Sequence, residues 1–201
     1  MIDKILEYAP EHLQNVELIC GMDEVGRGCG AGPVVTAAVI LPKDFHSPLL
    51  RDSKILTERQ RNYAYDLIMD KAIAVNCSHS SARDIDSIGI NPATFVSFSQ
   101  SVKGLSIQPT HILLDGNVSD NALDEYIIET VIKGDDTYRS IAAASIIAKV
   151  RRDKYMTDIG NQFPLYFWGS NKGYLTKVHV DAIKANGITQ YHRKTFLKKI
   201  I

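Results

Sequence analysis

Carboxylates and glycines stand together beside three apolar segments of the sequence. The carboxylates are Asp23, Glu24, Asp115, Asp135 and Asp136. Ligand sites form at strand ends in α/β sheets, although a single acid there is usually a turn residue or a helix cap. Crowded carboxylates raise one another's pKa unless a cation neutralises them, and oxygen ligands without His or Cys favour Mg²⁺ or Mn²⁺. Because two such ions can clamp an in-line displacement at a phosphate, the pattern predicts metal-dependent phosphate chemistry.

Asp23 and Glu24 are neighbours in a predicted strand, so their side chains should point to opposite faces of the sheet. Both reach one metal site only if the strand ends or bulges at this point. The glycine-rich run at 26–32 favours such a break. We therefore expect both carboxylates in the site.

The run itself, GRGCGAG, has the small-residue spacing of a dinucleotide-binding loop. That fingerprint must open a helix, whereas Pro33 introduces a β-branched segment here. A tight strand connection explains the glycines when they are taken alone. Beside Asp23 and Glu24, the better interpretation is backbone brought close to a ligand, with Arg27 available for a phosphate.

Apolar patterns predict strands that alternate with helices. Strands are expected at 18–25, 33–41, 72–78 and 111–114, and a further apolar segment covers 127–132. Helices are expected at 56–70, from 91 to about 102, from 140 to about 159, and at 177–186. The predicted fold class is α/β, with a mixed β-sheet flanked by helices and a helical C-terminal region.

Composition places the chain among ordinary globular proteins. The 201 residues are 45% hydrophobic and 23% charged, which excludes disorder and predicts a single domain over 1–201. No apolar run approaches the roughly 20 residues that span a bilayer, and the N-terminal segment is too charged for a signal peptide. Three cysteines form an odd set without metal-ligand spacing. We therefore expect a cytoplasmic protein without membrane contact or structural zinc.

Charge is balanced overall but divided unequally along the chain. Residues 1–132 hold 10 basic and 18 acidic residues, and residues 133–201 hold 13 basic and 5 acidic residues. A basic third of this kind fits a face that binds a polyanion. Charges that merely solvate helices explain it at least as well.

Six blocks of the sequence occur in an order typical of one enzyme family. They are GMDEVGRG (21–28), AGPVVTAAVILP (31–42), DSKILTE (52–58), LLDGN (113–117), IKGDDTYRSIAAASIIAKVRRD (132–153) and NKGYLTKVH (171–179). Together they resemble type 2 ribonuclease H, and in particular its bacterial ribonuclease HII branch, of which the Arg between Gly26 and Gly28 is typical. The resemblance implies an RNase H-like fold, with a core at about 18–160 and a C-terminal helical extension at about 161–201.

The resemblance also implies a metal site and a reaction. Four carboxylates, Asp23, Glu24, Asp115 and Asp135, would hold two divalent ions, Mg²⁺ or Mn²⁺. Asp136 is an alternative for the fourth acid, or it caps the following helix. The implied enzyme is a monomeric endoribonuclease that hydrolyses the RNA strand of RNA:DNA hybrids. It would also nick duplex DNA on the 5′ side of single embedded ribonucleotides, leaving a 3′-hydroxyl and a 5′-phosphate.

Substrate contacts are implied for Gly26, Arg27, Gly28, Lys54, Ser145 and Tyr174. Telling RNA from DNA requires a group that senses the 2′-hydroxyl. The resemblance assigns this to the backbone at 26–28 and to Tyr174, whose phenol can hydrogen-bond and stack on a sugar. Taken alone, Tyr174 would be a half-buried aromatic. Lys54 and Ser145 match positions that the family uses either near phosphates or to support the structure.

Other residues leave alternatives open. Cys29-Gly30 stands where the family commonly has Pro-Leu, and Trp168 opens a block that departs from the family pattern. Trp168 is then a packing residue or a base-stacking residue. Positive charges on the predicted 140–159 helix form a basic track or a solvated helix face; they are Lys149, Arg151 and Arg152.

Two functions of other classes compete with the nuclease. One is a nucleic-acid-binding protein without activity that uses the basic C-terminal third, and the intact acids count against it. The other is a nucleotide-binding enzyme that uses the glycine-rich loop, and the missing helix after that loop counts against it.

Overall fold

Strands and helices follow one another much as the apolar patterns predict. The computed structural model describes residues 6–117 and 121–200. The strands are β1 (Ile19–Val25), β2 (Val34–Ile40), β3 (Ala74–Ser80), β4 (His111–Asp115) and β5 (Ile127–Val131). The helices are α1 (Glu58–Lys71), α2 (Ala82–Ile88), α3 (Ile90–Lys103), α4 (Arg139–Gln162), α5 (Trp168–Asn171) and α6 (Lys177–Asn186). Short 3-10 helices lie at Glu11–Leu13, Asn121–Leu123, Gly134–Asp136, Pro164–Tyr166 and Lys194–Phe196.

The five strands form one mixed sheet in the order β3-β2-β1-β4-β5. β1 pairs antiparallel with β2 and parallel with β4, and β4 pairs parallel with β5. The C-terminal ends of β1, β4 and β5 therefore meet at one edge of the sheet. The predicted acids lie at this edge. The parallel and antiparallel pairings confirm the mixed sheet of the predicted α/β fold.

Helices cover both faces of the sheet. On one face, the alanine-rich first half of α4 packs on β1 and β2, and a Cβ atom at Gly21 would overlap the backbone of Ser140. On the other face, α3 packs Phe95 and Phe98 against Met22 of β1. Because both faces are covered, β2 is buried along its whole length, which explains its continuous β-branched and alanine sequence.

Local signals explain where the elements begin. α1 starts one residue after Thr57, whose side chain forms a capping box with Gln60. β3 lies at 74–80 rather than at the predicted 72–78. α2 was not predicted, because its short sequence has few apolar residues, although Ser81 and Asp84 form a capping box at its start.

The C-terminal region packs around the second half of α4. Trp168 is fully buried there against Tyr166 and Met156. Its Nε1–H donates a 3.0 Å hydrogen bond to Nε2 of His179. Trp168 is therefore a packing residue, and the base-stacking alternative is wrong. None of the described helices is both long and apolar enough to cross a membrane.

Candidate active site

The carboxylate edge of the sheet is built by the parallel pairing of β1 with β4. Met22 lies opposite Leu114 in this register, so Asp23 and Asp115 follow side by side. Oδ1 of Asp115 accepts a 2.8 Å hydrogen bond from the backbone N–H of Gly134. That bond ties the end of β4 to the 3-10 turn that contains Asp135.

Asp23 points toward α4 and is 6% exposed. Burial raises the pKa of Asp23 well above its usual value, and the neighbouring Glu24 and Asp115 raise it further. A hydrogen bond with Ser145 of α4 offsets part of this rise. Ser145 is itself buried and pairs with the hydroxyl of Ser53 at 3.0 Å. The position of Ser145 therefore fits the structural-support alternative.

Glu24 points to the opposite face of the sheet, as strand alternation requires. The β1–β2 register continues unbroken through Val25, so the predicted strand end or bulge at Glu24 is wrong. Glu24 instead lines a cavity of about 140 Å³ together with Asn91 and Asp115. Asp115 therefore lies at the strand end where it acts on carboxylates of both faces.

Glu24 is partly buried and lies beside Arg27. Burial raises the pKa of Glu24 to about 7; Arg27 lowers it and Asp115 raises it. Arg27 lies 3.4 Å from Oε1 of Glu24 and donates a 2.6 Å hydrogen bond to Oδ1 of Asn91.

Asp135 completes the acidic edge and is 8% exposed. Burial raises the pKa of Asp135, as do Asp115 and Asp52, whereas Lys54 lowers it. Asp136 is exposed, and α4 begins after Tyr138 without a side-chain cap. The predicted capping role of Asp136 is therefore wrong, and the structure brings Asp135 to the other acids.

Lys54 is the cation on this side of the edge. Partial burial lowers the pKa of the Lys54 ammonium, but the carboxylates raise it by more, so that the net shift is upward. The contributing carboxylates are Asp52, Asp135, Asp23 and Asp115. Nζ of Lys54 lies 3.8 Å from Oδ1 of Asp52 and is largely exposed. The ammonium can therefore meet an incoming phosphate.

The acids fit a divalent cation by their chemistry. Asp115 raises the pKa of the other three acids, so negative charge at this edge is in excess. Hard oxygen ligands of this kind suit Mg²⁺ or Mn²⁺. Among residues 6–117 and 121–200, however, no three His, Cys, Asp or Glu side chains form a compact preformed metal group. The carboxylates nevertheless raise one another's pKa, and a cation bound between them would remove this electrostatic cost.

The glycine-rich loop next to Glu24 uses its glycines in different ways. Gly26 has φ +97°, and a Cβ atom there would overlap the Arg152 side chain. At Gly28 a Cβ atom would meet no atom within 4 Å. Packing therefore requires glycine at 26, whereas Gly28 leaves open space in which a ligand can approach the backbone. The loop leads into β2 rather than a helix, which counts against a dinucleotide-binding fingerprint.

Tyr174 is brought to this loop by the residue that precedes it. The carbonyl of Gly173 accepts hydrogen bonds from the N–H groups of Gly30 (2.9 Å) and Ala31 (3.2 Å). Tyr174 is 46% exposed. Burial of the phenol and its neighbour Cys29 raise the pKa of Tyr174. The loop and Tyr174 thus form one continuous surface.

Comparison with known proteins identifies the family of this site. The model of the family "Ribonuclease HII" matches residues 20–199. The chain belongs to the ribonuclease HII family. A ribonuclease HII of Bacteroides thetaiotaomicron is 50% identical over 183 residues, which are 90% of this chain and 91% of that protein.

Solved structures share the fold of this chain. The crystal structure of ribonuclease H2 from Pyrococcus horikoshii OT3 superposes with a TM-score of 0.77 at 24% identity, covering 90% of this chain and 96% of that chain. Bst-RNase HIII in complex with Mn²⁺ has a TM-score of 0.67 at 17% identity, covering 94% of this chain and 68% of that one. The RNase H-like fold implied by the sequence is therefore confirmed.

Membership of the family decides between the competing functions. The protein is a metal-dependent endoribonuclease with ribonuclease H activity on RNA:DNA hybrids. This excludes a non-catalytic binding protein and a nucleotide-binding enzyme as its principal function.

Several residues have roles that their local sequence does not indicate. Arg152 is fully buried, so both the basic track and the solvated face are wrong for it. Its spacing from Met156 and Ile159, four and seven residues on, marks the buried face of α4. Asn91, which holds Arg27, and Arg193, which holds the glycine-rich loop, were missed because their partners are distant in sequence.

Proposed function

We propose that this protein nicks duplex DNA on the 5′ side of a single embedded ribonucleotide, in addition to cutting the RNA strand of hybrids. The observation that carries the proposal is the joining of Tyr174 to the glycine-rich loop through the carbonyl of Gly173. This surface lies beside Glu24, at the carboxylate edge. A group that recognises one sugar therefore stands next to a group that can cleave its phosphate.

Four carboxylates would hold the metal ions: Asp23, Glu24, Asp115 and Asp135. When bound, two ions of Mg²⁺ or Mn²⁺ supply an activated water and neutralise charge on the leaving oxygen. Asp115 would contribute to the site from the end of β4, where it raises the pKa of both Asp23 and Glu24. Ser145 orients Asp23 from α4, and Lys54 balances charge at the outer side of the edge.

Ribonucleotide recognition falls to the loop at 26–28 and to Tyr174. The 2′-hydroxyl both donates and accepts hydrogen bonds. Arg27 and Gly28 are exposed residues whose backbone N–H groups can donate, and the phenol of Tyr174 is a further hydrogen-bonding group. The Arg27 guanidinium contacts Glu24 and Asn91. Because its side chain is about half exposed, it can also contact a phosphate.

The rest of the functional assignment concerns the whole chain. The protein acts as a monomer in the cytoplasm, as a single domain at 1–201 with its core at about 18–160. The helical extension at about 161–201 carries Tyr174. Supporting this assignment, the buried C-terminal cluster shares Met156 and Ile159 with α4 of the sheet core.

The ends of the product test the proposed reaction. After cleavage with Mg²⁺ or Mn²⁺, the nicked strand should be extended by a DNA polymerase, which needs a 3′-hydroxyl. It should also be resealed by a ligase, which needs a 5′-phosphate. An EDTA-treated sample is the control, and ends that neither enzyme accepts would contradict the reaction.

A further inference from the structure

Two buried arginines lie beneath the glycine-rich loop. Both Arg193 and Arg152 are fully buried. Arg193 donates to the carbonyl oxygens of Gly26 (2.8 Å), Arg27 (2.8 Å) and Gly32 (3.0 Å). All three nitrogens of its guanidinium are therefore used on the backbone of one loop.

Arg152 holds the other end of the same loop. It donates to the carbonyl oxygens of Pro33 (2.9 Å), Lys172 (2.8 Å) and Ala31 (3.2 Å). Arg193, and not Arg152, donates to the carbonyls of Gly26 and Arg27 at the tip of the loop, and the Gly26 carbonyl also accepts a 3.3 Å hydrogen bond from the N–H of Cys29. The two arginines are thus distinct in what they position.

The direction of these carbonyl groups determines the direction of the neighbouring amides. In a trans peptide the N–H points opposite to the C=O of the preceding residue. Because the Gly26 and Arg27 carbonyls point at Arg193, the N–H groups of Arg27 and Gly28 point away from it. Arg27 and Gly28 are exposed, and the space above Gly28 is open. The amides therefore point away from the buried guanidinium, at a part of the loop that a substrate can reach.

Charge strengthens this arrangement. Burial lowers the pKa of Arg193 to about 10, with Arg152 adding to the decrease, so the guanidinium stays protonated at neutral pH. A buried cation behind a peptide group favours electron-rich oxygen atoms in front of its N–H. A lysine has one nitrogen and lacks the planar fork, so it cannot span the same three carbonyls.

We propose that Arg193 is a positioning residue for ribonucleotide recognition, holding the Gly26 and Arg27 carbonyls so that the Arg27 and Gly28 amides face the 2′-hydroxyl. This inference rests on the proposed function. It makes the C-terminal segment, 166 residues away from Arg27 in the chain, part of the discrimination between RNA and DNA.

The test compares binding of two duplexes that differ in a single sugar. Dissociation constants are measured in EDTA, so that nothing is cleaved, for an all-DNA duplex and for the same duplex with one ribonucleotide. The ratio of interest is the dissociation constant for the all-DNA duplex divided by that for the duplex with one ribonucleotide. In Arg193→Lys this ratio should fall about tenfold, given the hydrogen bonds lost. Affinity for the all-DNA duplex should change little. A merely structural role would weaken binding to both duplexes alike.

Arg139→Lys is the matched control. Arg139 is also buried and donates to loop carbonyls, those of Phe45 and Lys43. Its replacement should cost similar stability and leave the ratio unchanged. If wild-type protein does not distinguish the duplexes, the proposed function fails and this inference with it.

If wild type discriminates and Arg193→Lys discriminates equally, only the role of Arg193 is overturned. Circular dichroism checks that each variant is folded. Should Arg193→Lys not fold, Arg193→Gln keeps an amide donor without a buried charge and is measured in its place. If neither variant folds, Arg193 is a folding residue and the inference is overturned.

Discussion

The Asp115 carboxylate accepts a 2.8 Å hydrogen bond from the backbone N–H of Gly134. Through this contact the end of β4 and the turn that carries Asp135 hold each other in place. Asp115 also raises the pKa of Asp23, Glu24 and Asp135. Asp115 is thus the electrostatic centre of the acidic edge.

Asp115→Asn should abolish metal-dependent cleavage while leaving duplex binding in EDTA intact. The amide oxygen can still accept from Gly134, so the change removes mainly the charge. We expect activity to fall by more than about a hundredfold, since groups that only support metal ligands are already worth about 10- to 100-fold. Asp23→Asn should behave in the same way. Retained activity in both variants would overturn the metal-site assignment.

Asp135→Asn and Asp136→Asn form a matched pair of neighbouring substitutions. Asp135 is buried beside Lys54 and Asp115, whereas Asp136 is exposed. Cleavage rates should fall by more than about tenfold in the first variant and stay near wild type in the second. The opposite order would make Asp136 the fourth acid.

Tyr174→Phe removes only the phenolic hydroxyl. Because the side chain is 46% exposed, folding should be nearly unaffected, while cleavage at a single ribonucleotide should fall about tenfold, as expected for a lost hydrogen bond. Tyr63→Phe, at another exposed tyrosine, controls for the substitution itself. Equal cleavage rates for wild type and Tyr174→Phe would remove the hydroxyl from the site.

The raised pKa of Glu24 makes metal-free protein less stable as the pH rises. Between the ordinary value of 4.5 and the folded-state pKa of about 7, the folded protein binds a proton that the unfolded chain has released. The stability that this proton provides is complete below pH 4.5 and is lost as the pH rises through 7.

Glu24→Gln should remove this pH dependence. Its free energy of unfolding relative to wild type should increase by about 3 kcal/mol from below pH 4.5 to above pH 7. Urea unfolding in EDTA measures the difference. A difference that does not vary with pH would show that Glu24 titrates normally.

Much of the fold and of the acidic site could be predicted from local sequence. The β-branched run of β2 and the acids beside Gly116 and Gly134 are signals within a few residues of one another. Parallel strands then bring Asp23 and Asp115 together without further information. The predicted bulge at Glu24 is wrong, since β1 pairs with β2 without a break through Val25. No bulge is needed, because Asp115 lies at a strand end and acts on the acids of both faces.

Residues whose partners are far away in the chain could not be predicted. Arg152 and Arg193 carry the charge of surface residues, yet most of the backbone carbonyls that satisfy them lie more than 100 positions away in the chain. Only the assembled fold places those carbonyls around a guanidinium. The α4 periodicity around Arg152 was the one local signal, since Met156 and Ile159 continue its buried face.

Cleavage of a DNA duplex containing one ribonucleotide measures the recognition of a single ribonucleotide itself. The protein is incubated with this duplex and Mg²⁺ or Mn²⁺, with EDTA as the control and an all-DNA duplex of the same sequence beside it. We expect a metal-dependent nick on the 5′ side of the ribonucleotide and none in the all-DNA duplex. An intact duplex, under conditions in which the same protein cuts a continuous RNA:DNA hybrid, would contradict recognition of a single ribonucleotide by the 26–28 loop and Tyr174.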